Sequence, residues 1–311
     1  MKIDVIIPLY KPGKELFTLL DRLSSQSMPV DHIILMNTEE QYFEELVQGT
    51  DFYERYADII EVFHLSKREF DHGLTRHMGV GKSDADVFVM MTQDALPADD
   101  RLIEHLSAHL EGEVAVAYAR QLPKEDCNIL ERISREFNYP AGSVTKSKAD
   151  LREMGIKTYF CSNVCAAYRR EIYEELGGFV RHTIFNEDMI YAAKAIERGF
   201  AIAYEADAKV YHSHNYSVRD QFHRNFDLGV SQADHPEVFA DIHSEAEGTK
   251  LVKRTTTRLR ELKHRRLIPC FYVQCAGKYL GYLLGKNYKR LPKRMILSFT
   301  SNKEYWNYEQ K

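Results

Sequence analysis

The chain has 311 residues, of which 44% are apolar and 28% charged, and its formal net charge at pH 7 is −4. This balance is typical of a soluble globular protein and excludes an intrinsically disordered one. The length allows one large α/β domain with about a hundred residues left over. The small net charge gives no reason to expect a nucleic-acid partner.

The first two-thirds of the chain alternate strand-like and helix-like segments. Short β-branched runs predict strands at 3–7, 32–36, 59–65, 87–91 and 114–119. Apolar residues at helical spacing predict helices at 16–23, 41–56, 73–82 and 99–110. This alternation predicts an α/β fold with a mainly parallel sheet flanked by helices.

The later chain is less regular. The pattern weakens over 127–150, where 139–143 is expected to be a mobile loop, and 158–168 is expected to be a strand. A helix at 187–198 and strands at 201–204 and 208–211 follow. Beyond 215 the pattern is helical without clear strands. We therefore expect one domain over 1–220 and a basic, mostly helical C-terminal region over 221–311.

The compartment follows from the N-terminus and the cysteines. The first ten residues lack the charged-then-apolar build of a signal peptide. No apolar run approaches the roughly 20 residues that span a bilayer. The five cysteines are unevenly spaced, as in structural thiols of a reducing compartment. We expect a cytoplasmic protein, free or peripheral at the inner face of the cell membrane.

Two groups of aspartates are candidates for metal chemistry. Asp84 and Asp86 form an Asp-x-Asp pattern, but they precede the strand at 87–91 and are interpreted as a solvated loop. Asp94 follows the carboxyl end of the same strand, where ligands of parallel sheets bind. Asp94 is therefore the predicted ligand of Mg²⁺ or Mn²⁺, which neutralises a diphosphate leaving group.

A second acidic pair, Glu187 and Asp188, opens the predicted helix at 187–198. Acids at this position often only cap the helix. Consecutive side chains point in different directions, so one acid can cap while the other acts as a general base.

Histidines and an arginine complete the candidates. His212 and His214 follow a predicted strand, and either imidazole is a suitable further metal ligand, although loop histidines are often plain surface residues. Arg76 lies one turn into a helix that starts near Gly73, a position that favours phosphate. The alternative is that Asp71 merely caps this helix.

The order of these segments resembles the GT-A fold of family 2 glycosyltransferases, and of its bacterial rhamnosyltransferase branch. The match covers about 1–220. The motifs that carry it are Ile6-Ile7-Pro8-Leu9-Tyr10, Phe70-Asp71-His72-Gly73 with Thr75-Arg76, Thr92-Gln93-Asp94-Ala95, Gly177-Gly178-Phe179 with Glu187-Asp188, and Ala208-Lys209-Val210-Tyr211-His212 with Ser213-His214-Asn215-Tyr216-Ser217.

The resemblance implies a role for each matched position. Asp188 would be the catalytic base, with Glu187 beside it. Asp94 would bind the divalent cation with His212 or His214. The donor would contact Pro8, Tyr10, Asn37, Thr38, His72, Arg76, Gln93 and Asp94. The acceptor would contact Phe160, Ser162 and Asn163. The family's metal motif has more acids than this chain, where Thr92 and Gln93 precede Asp94.

The C-terminal region carries a block of positive charge. Residues 250–294 contain fourteen Lys or Arg and one acid, Glu261, interleaved with apolar side chains. An amphipathic helix on an anionic membrane surface fits this composition. The alternatives are an ordinary helical cap or an oligomer contact. No nucleic-acid motif accompanies the charge.

The resulting functional prediction is an inverting glycosyltransferase. The resemblance implies dTDP-L-rhamnose as its donor and a lipid-linked saccharide of bacterial surface-polysaccharide synthesis as its acceptor. One alternative is transfer of another sugar, such as galactose or glucose from its UDP donor. A second is a catalytically silent relative that only binds a nucleotide or polysaccharide. A nucleotidyltransferase would require a glycine-rich phosphate loop, which Lys11-Pro12-Gly13 does not provide.

Overall fold

A computed structural model describes residues 1–240 and 245–310. The chain forms two compact units. The first unit contains Met1–Leu122, Tyr139–His182 and Glu187–His212. The second contains Pro123–Asn138, Thr183–Asn186 and the described part of Ser213–Lys311.

The first unit is built on one sheet. Its strands are β1 (Ile3–Tyr10), β2 (His32–Thr38), β3 (Ile60–Leu65), β4 (Val87–Met91), β5 (Leu96–Pro97), β6 (Val114–Leu122), β7 (Val144–Lys146), β8 (Cys165–Arg169) and β9 (Ala201–Tyr211). Their order in the sheet is β3-β2-β1-β4-β8-β6-β9-β5, and β7 also pairs with β9. The predicted α/β class is confirmed.

The parallel arrangement holds for only part of the sheet. Strands β3, β2, β1 and β4 are mutually parallel, as the alternating pattern predicts. Beyond them, β8 runs antiparallel to both β4 and β6, and β5 and β7 run antiparallel to β9. Strand β6 is in turn parallel to β9. The sheet is therefore mixed: its parallel strands agree with the prediction, and β8 lies antiparallel between β4 and β6.

Helices cover the sheet of the first unit. They are α1 (Glu15–Ser24), α2 (Glu40–Val47), α3 (Phe52–Arg55), α4 (His72–Val80), α5 (Leu102–Ala108), α7 (Leu151–Met154), α8 (Arg170–Glu175) and α9 (Glu187–Glu197), where α6 (Ile129–Asn138) belongs to the second unit. The buried stripe of α1 consists of leucines at helical spacing, Leu16, Leu19, Leu20 and Leu23, which join the main core. Burial of such stripes is the main force that holds helices on a sheet.

Several local predictions are revised. The segment predicted as a strand from 158 begins as a 3₁₀ helix (Gly155–Tyr159), and the strand starts only at Cys165. The two predicted strands after 200 are one strand, β9, with a register irregularity. The 139–143 loop is held to β9, since Tyr204 donates to the Pro140 carbonyl (2.6 Å) and the Ala206 N–H donates to Ser143 (2.9 Å).

The second unit is helical in its described residues. Besides α6, its helices are α10 (Val218–Asp234), α11 (Pro236–Phe239), α12 (Glu245–Glu261), α13 (Ile268–Lys286) and α14 (Lys293–Phe299). Helices α10 and α13 pack backbone to backbone, because a side chain at Gly229, Gly281 or Gly285 would collide with the facing helix. Among the described residues, no helix is both long and apolar enough to cross a membrane.

Candidate active site

Two elements of the first unit bring Asp94 and His212 together. Asp94 lies in the turn after β4, and His212 follows β9 directly. A carboxylate oxygen of Asp94 lies 3.5 Å from Nε2 of His212. The imidazole is buried, whereas Asp94 is partly exposed. This arrangement aims one oxygen and one nitrogen ligand at the same point at the sheet edge.

Gln121, at the end of β6, orients the imidazole of His212. Its Oε1 lies 2.9 Å from Nδ1 of His212, and its amide nitrogen donates to the Ser162 hydroxyl (2.9 Å). Donation from Nδ1 to this amide oxygen corresponds to the tautomer in which Nε2, on the side of Asp94, is the ring nitrogen that can bind a cation.

Asp188 lies in the first turn of α9 and accepts two backbone hydrogen bonds. The N–H of Asn163 donates to one carboxylate oxygen (3.0 Å), and the N–H of Met189 donates to the other (2.7 Å). Burial, assisted by the charge of Glu187, raises the pKa of Asp188 to about 7, against the effect of these hydrogen bonds and of Arg76. A carboxylate with such a pKa is suited to accept a proton near neutral pH.

Glu187, next to Asp188 in the sequence, contacts Arg76 and Asn163. Its carboxylate lies 3.1 Å from Nε of Arg76 and accepts a hydrogen bond from the Asn163 side chain (3.1 Å). The Asn163 side-chain oxygen in turn accepts a hydrogen bond from Tyr168 (2.6 Å). Asn163 is therefore fixed on both sides, which holds its N–H against Asp188.

These contacts form one polar network inside the first unit. It runs from Asp94 through His212, Gln121 and Ser162 to the adjacent Asn163, whose N–H reaches Asp188. Asp94, the predicted metal ligand, and Asp188, the predicted base, thus lie at the two ends of one polar network. The Asp84–Asp86 loop is separate, as predicted: both aspartates are exposed and contact Lys2.

Asp71 and Gln93 hold the loops that frame this site. Asp71 caps α4 by accepting hydrogen bonds from the N–H groups of Gly73 (2.8 Å) and Leu74 (3.1 Å). The contact of Arg76 with a phosphate stays a prediction. The side-chain oxygen of Gln93 accepts a hydrogen bond from the Tyr10 N–H (2.9 Å), and its amide nitrogen donates one to the Tyr10 carbonyl (3.1 Å). This pair joins the carboxyl ends of β1 and β4.

The predicted donor contacts differ in exposure. Tyr10 is exposed and packs edge-on against Tyr42, with the Lys11 ammonium over both rings, while Pro8 is partly exposed. Asn37 and Thr38 are buried at the end of β2, and within the described residues Asn37 Oδ1 and Thr38 Oγ1 have no hydrogen-bond partner. His72 begins α4, and its carbonyl accepts from Arg76 (2.9 Å). Their contacts with a donor stay a prediction.

Comparison with known proteins identifies the family. The family model described as Glycosyl transferase family 2 matches residues 4–177. The chain belongs to glycosyl transferase family 2. This family 2 glycosyltransferase is 40% identical over 311 residues to the O-antigen chain rhamnosyltransferase RfbN of Salmonella typhimurium, covering 99% of this chain and 96% of the relative. It is 42% identical over 247 residues to the O-antigen chain rhamnosyltransferase WbaN of Salmonella anatum, covering 78% of each chain.

Solved structures confirm the GT-A-type fold of this glycosyltransferase. The mannosyltransferase PcManGT from Pyrobaculum calidifontis, in complex with GDP-Man and Mn²⁺, has a TM-score of 0.58 at 15% identity and covers 93% of this chain and 86% of its own. TarS 1-349 of S. aureus, in complex with UDP-GlcNAc, has a TM-score of 0.54 at 14% identity and covers 93% and 92%. At these identities the similarity is one of fold.

The residues at the sheet edge of this family 2 enzyme fit a divalent cation. A carboxylate oxygen and an imidazole nitrogen are ligands that Mn²⁺ accepts, and Mg²⁺ prefers the oxygen. The neighbouring Thr92 hydroxyl is buried without a hydrogen-bond partner among the described residues. His214 follows His212 by two residues but belongs to the second unit.

The acceptor residues predicted for this enzyme are engaged in the network, and their acceptor role stays a prediction. Ser162 and Asn163 are buried and hydrogen-bonded as described above, and Phe160 is partly exposed. Behind them lies Lys146, a buried lysine that the sequence analysis missed. Its ammonium donates to the carbonyls of Lys157 (3.0 Å) and Phe160, and burial lowers its pKa to about 7. Lys146 therefore fixes the segment that carries Asn163.

Proposed function

We propose that this family 2 glycosyltransferase transfers L-rhamnose from dTDP-L-rhamnose to a lipid-linked saccharide in bacterial O-antigen synthesis, with inversion at the anomeric carbon. The donor assignment rests on the 40% identity to an O-antigen chain rhamnosyltransferase along nearly the whole chain. We assign the chemistry to residues 1–220, which include both ends of the polar network.

The single observation that carries the mechanism is the continuous connection from Asp94 to Asp188. A glycosyltransferase must stabilise a leaving diphosphate at one point and activate an acceptor hydroxyl at another. The two points must be held at a fixed separation, since misplacement by about 1 Å is costly in rate. The contacts of His212, Gln121 and Asn163 supply that fixed spacing.

Asp188 is the proposed general base. It takes the proton of the acceptor hydroxyl while that oxygen forms a bond to the anomeric carbon. The bond from this carbon to the donor phosphate breaks in the same step, and its electron pair leaves with the nucleoside diphosphate. One displacement of this kind inverts the anomeric centre.

Other side chains position Asp188 and the donor. The N–H of Asn163 aims the Asp188 carboxylate, and Glu187 holds Arg76 by its guanidinium. We assign Arg76 to the diphosphate, Gln93 and His72 to the donor side of the site, and Tyr10 and Pro8 to the nucleoside. Asn37 and Thr38 are assigned to the base or ribose, and Phe160, Ser162 and Asn163 to the acceptor side.

Asp94 and His212 are the proposed cation ligands, with His214 as the alternative or additional imidazole. A bound Mg²⁺ or Mn²⁺ supplies positive charge that neutralises the diphosphate. The mannosyltransferase PcManGT, which shares the fold, was solved in complex with GDP-Man and Mn²⁺, which supports this choice by analogy of fold.

The experiment is a donor panel. Purified protein is incubated with dTDP-L-rhamnose, UDP-galactose or UDP-glucose, with and without Mn²⁺, and release of nucleoside diphosphate is measured. The proposal predicts release from dTDP-L-rhamnose that depends on the cation and exceeds release from the other two donors. Asp188→Asn is the inactive reference, and Asp84→Asn, an exposed aspartate in the other loop, is the matched active control.

Two outcomes overturn the proposal. Faster turnover of a UDP-sugar would assign another donor. Tight nucleotide binding without turnover of any donor, in the presence of lipid-linked acceptor and Mn²⁺, would assign the silent binding role.

A further inference from the structure

Helix α13 in the second unit has an apolar face that the described residues leave exposed. Its inner face packs on α10 through glycines, but its outer face exposes large apolar side chains at 272–273, 279–280 and 283, positions that fall on one side of the helix. These are Tyr272 (49% exposed), Val273 (58%), Tyr279 (58%), Leu280 (52%) and Leu283 (45%). Ala276 between them is also exposed.

This face is long and continuous. A helix of 19 residues is about 28 Å long, and the exposed side chains occupy most of it. Large apolar patches that remain contiguous on a protein surface mark interaction sites. Scattered exposed apolar residues are common on protein surfaces, whereas a stripe of them along one helix face indicates an interaction site.

The charges around the stripe indicate what covers it. Residues 262–300 contain nine Lys or Arg and no Asp or Glu. The exposed cations stand beyond both ends of α13, at Lys263, Arg265 and Arg266 before it and at Arg290, Lys293 and Arg294 after it. A partner must therefore be apolar along the middle and negatively charged on either side.

We infer that the outer face of α13, with its two flanking basic groups, is a docking surface for an anionic lipid bilayer. The helix lies in the plane of the headgroups, its apolar stripe enters the acyl region, and the arginines and lysines at both ends contact lipid phosphates. The inference narrows the predicted membrane segment 250–294 to one helical face. It does not depend on which sugar is transferred.

A second copy of this chain is a poorer occupant. A symmetric pair of these helices would bring the basic groups of both copies together, and no exposed acid within 262–300 could neutralise them. Like charges held close destabilise such an interface. An anionic bilayer satisfies both the apolar stripe and the flanking cations.

The test is flotation of the full chain with vesicles of phosphatidylcholine alone or mixed with phosphatidylglycerol. The apolar variant is Leu280→Gln with Leu283→Gln, and the basic variant is Lys293→Gln with Arg294→Gln. Controls of the same chemistry lie in the first unit: Tyr53→Gln with Met78→Gln for exposed apolar residues, and Arg152→Gln with Arg198→Gln for exposed cations. All eight positions are exposed, and circular dichroism verifies that each variant is folded.

The wild type is expected to float with the anionic vesicles and not with phosphatidylcholine alone. Each test pair should lower the vesicle partition coefficient by at least about tenfold, while the controls keep the wild-type value. Absence of flotation with anionic vesicles overturns the inference, as does an equal loss in the controls. Self-association that only Leu280→Gln with Leu283→Gln abolishes, without vesicle binding, would assign the face to a second copy. Transfer to a water-soluble acceptor is measured in parallel, so that failure of docking is distinguished from failure of the proposed function.

Discussion

The guanidinium Nε of Arg76 lies 3.1 Å from a carboxylate oxygen of Glu187, and the two side chains are only 9% and 6% exposed. This buried ion pair joins α4 to α9 next to Asp188. Removing one partner leaves the other charge buried without compensation. We expect Glu187→Gln to lower the free energy of unfolding by about 3–5 kcal/mol, measured by urea denaturation.

An exposed ion pair in the same unit is the matched control. Arg101 and Glu104 are 2.9 Å apart, with 54% and 41% of their side chains exposed. Water solvates either charge when the other is removed, so Glu104→Gln should change the unfolding midpoint very little. If both substitutions lowered the free energy of unfolding equally, the burial of the Arg76–Glu187 pair would not add to its effect on stability.

Asp188→Asn is expected to lower the transfer rate constant by about 10²–10⁴-fold with nearly unchanged donor affinity. The amide keeps the size of the carboxylate but cannot accept the proton. In the wild type, turnover should rise with pH through about 7, where Asp188 loses its proton. Calorimetric titration of the donor and a pH series of turnover measure both effects; a wild-type rate in the variant would remove Asp188 from the mechanism.

The same substitution has a consequence for stability. Because the pKa of Asp188 is raised from 3.8 to about 7 on folding, the folded state binds more protons than the unfolded state between these values. The contribution of Asp188 to stability is therefore lost as pH rises through about 7. Asp188→Asn should be less sensitive to pH over this range in thermal melts, and should be the more stable protein above it.

Lys146→Met tests the buried lysine. Its pKa falls from 10.5 to about 7 on folding, so the unfolded state binds more protons between these values, and stability increases with pH across that window. The variant should lack this increase. It should also lose turnover at every pH, because the segment that carries Asn163 loses its tether at the Lys157 and Phe160 carbonyls. Melting curves from pH 7 to about 10 check the first effect, and persistence of the increase in the variant would contradict it.

The cation ligands are tested by binding as well as by activity. Asp94→Ala and His212→Ala should each weaken Mn²⁺ binding in electron paramagnetic resonance titrations with nucleoside diphosphate, by about tenfold or more. Gln121→Leu, which frees the His212 ring, should weaken it less. His214→Ala shows whether the second histidine takes part. Unchanged Mn²⁺ binding in Asp94→Ala would show that Asp94 is not a ligand of the cation.

The sequence predicted the parts of the fold that depend on local pattern. Strands β1 to β4 and helix α1 follow from β-branched runs and spaced leucines. The approach of Asp94 to His212 follows from the rule that polar residues after parallel strands converge. An acidic pair at the start of a helix, Glu187 and Asp188, is visible in sequence, and the family resemblance implies Asp188 as the base.

What the sequence could not predict depends on contacts between distant residues. Gln121 lies 41 residues from Ser162 and 91 from His212, and no local pattern marks it as their link. Lys146 looks like a surface lysine until β7 pairs with β9 and buries it. The reversal of β8 is likewise invisible, since an antiparallel buried strand and a parallel one have the same apolar composition.

The stereochemistry of the product distinguishes a single displacement from a double one. We propose that one site holds the cation for the diphosphate at Asp94 and His212 and the acceptor at Asp188, so that transfer occurs by a single displacement. Nuclear magnetic resonance of the product formed from dTDP-L-rhamnose should show an anomeric configuration opposite to that of the donor. A product that retains the donor configuration would contradict the claim.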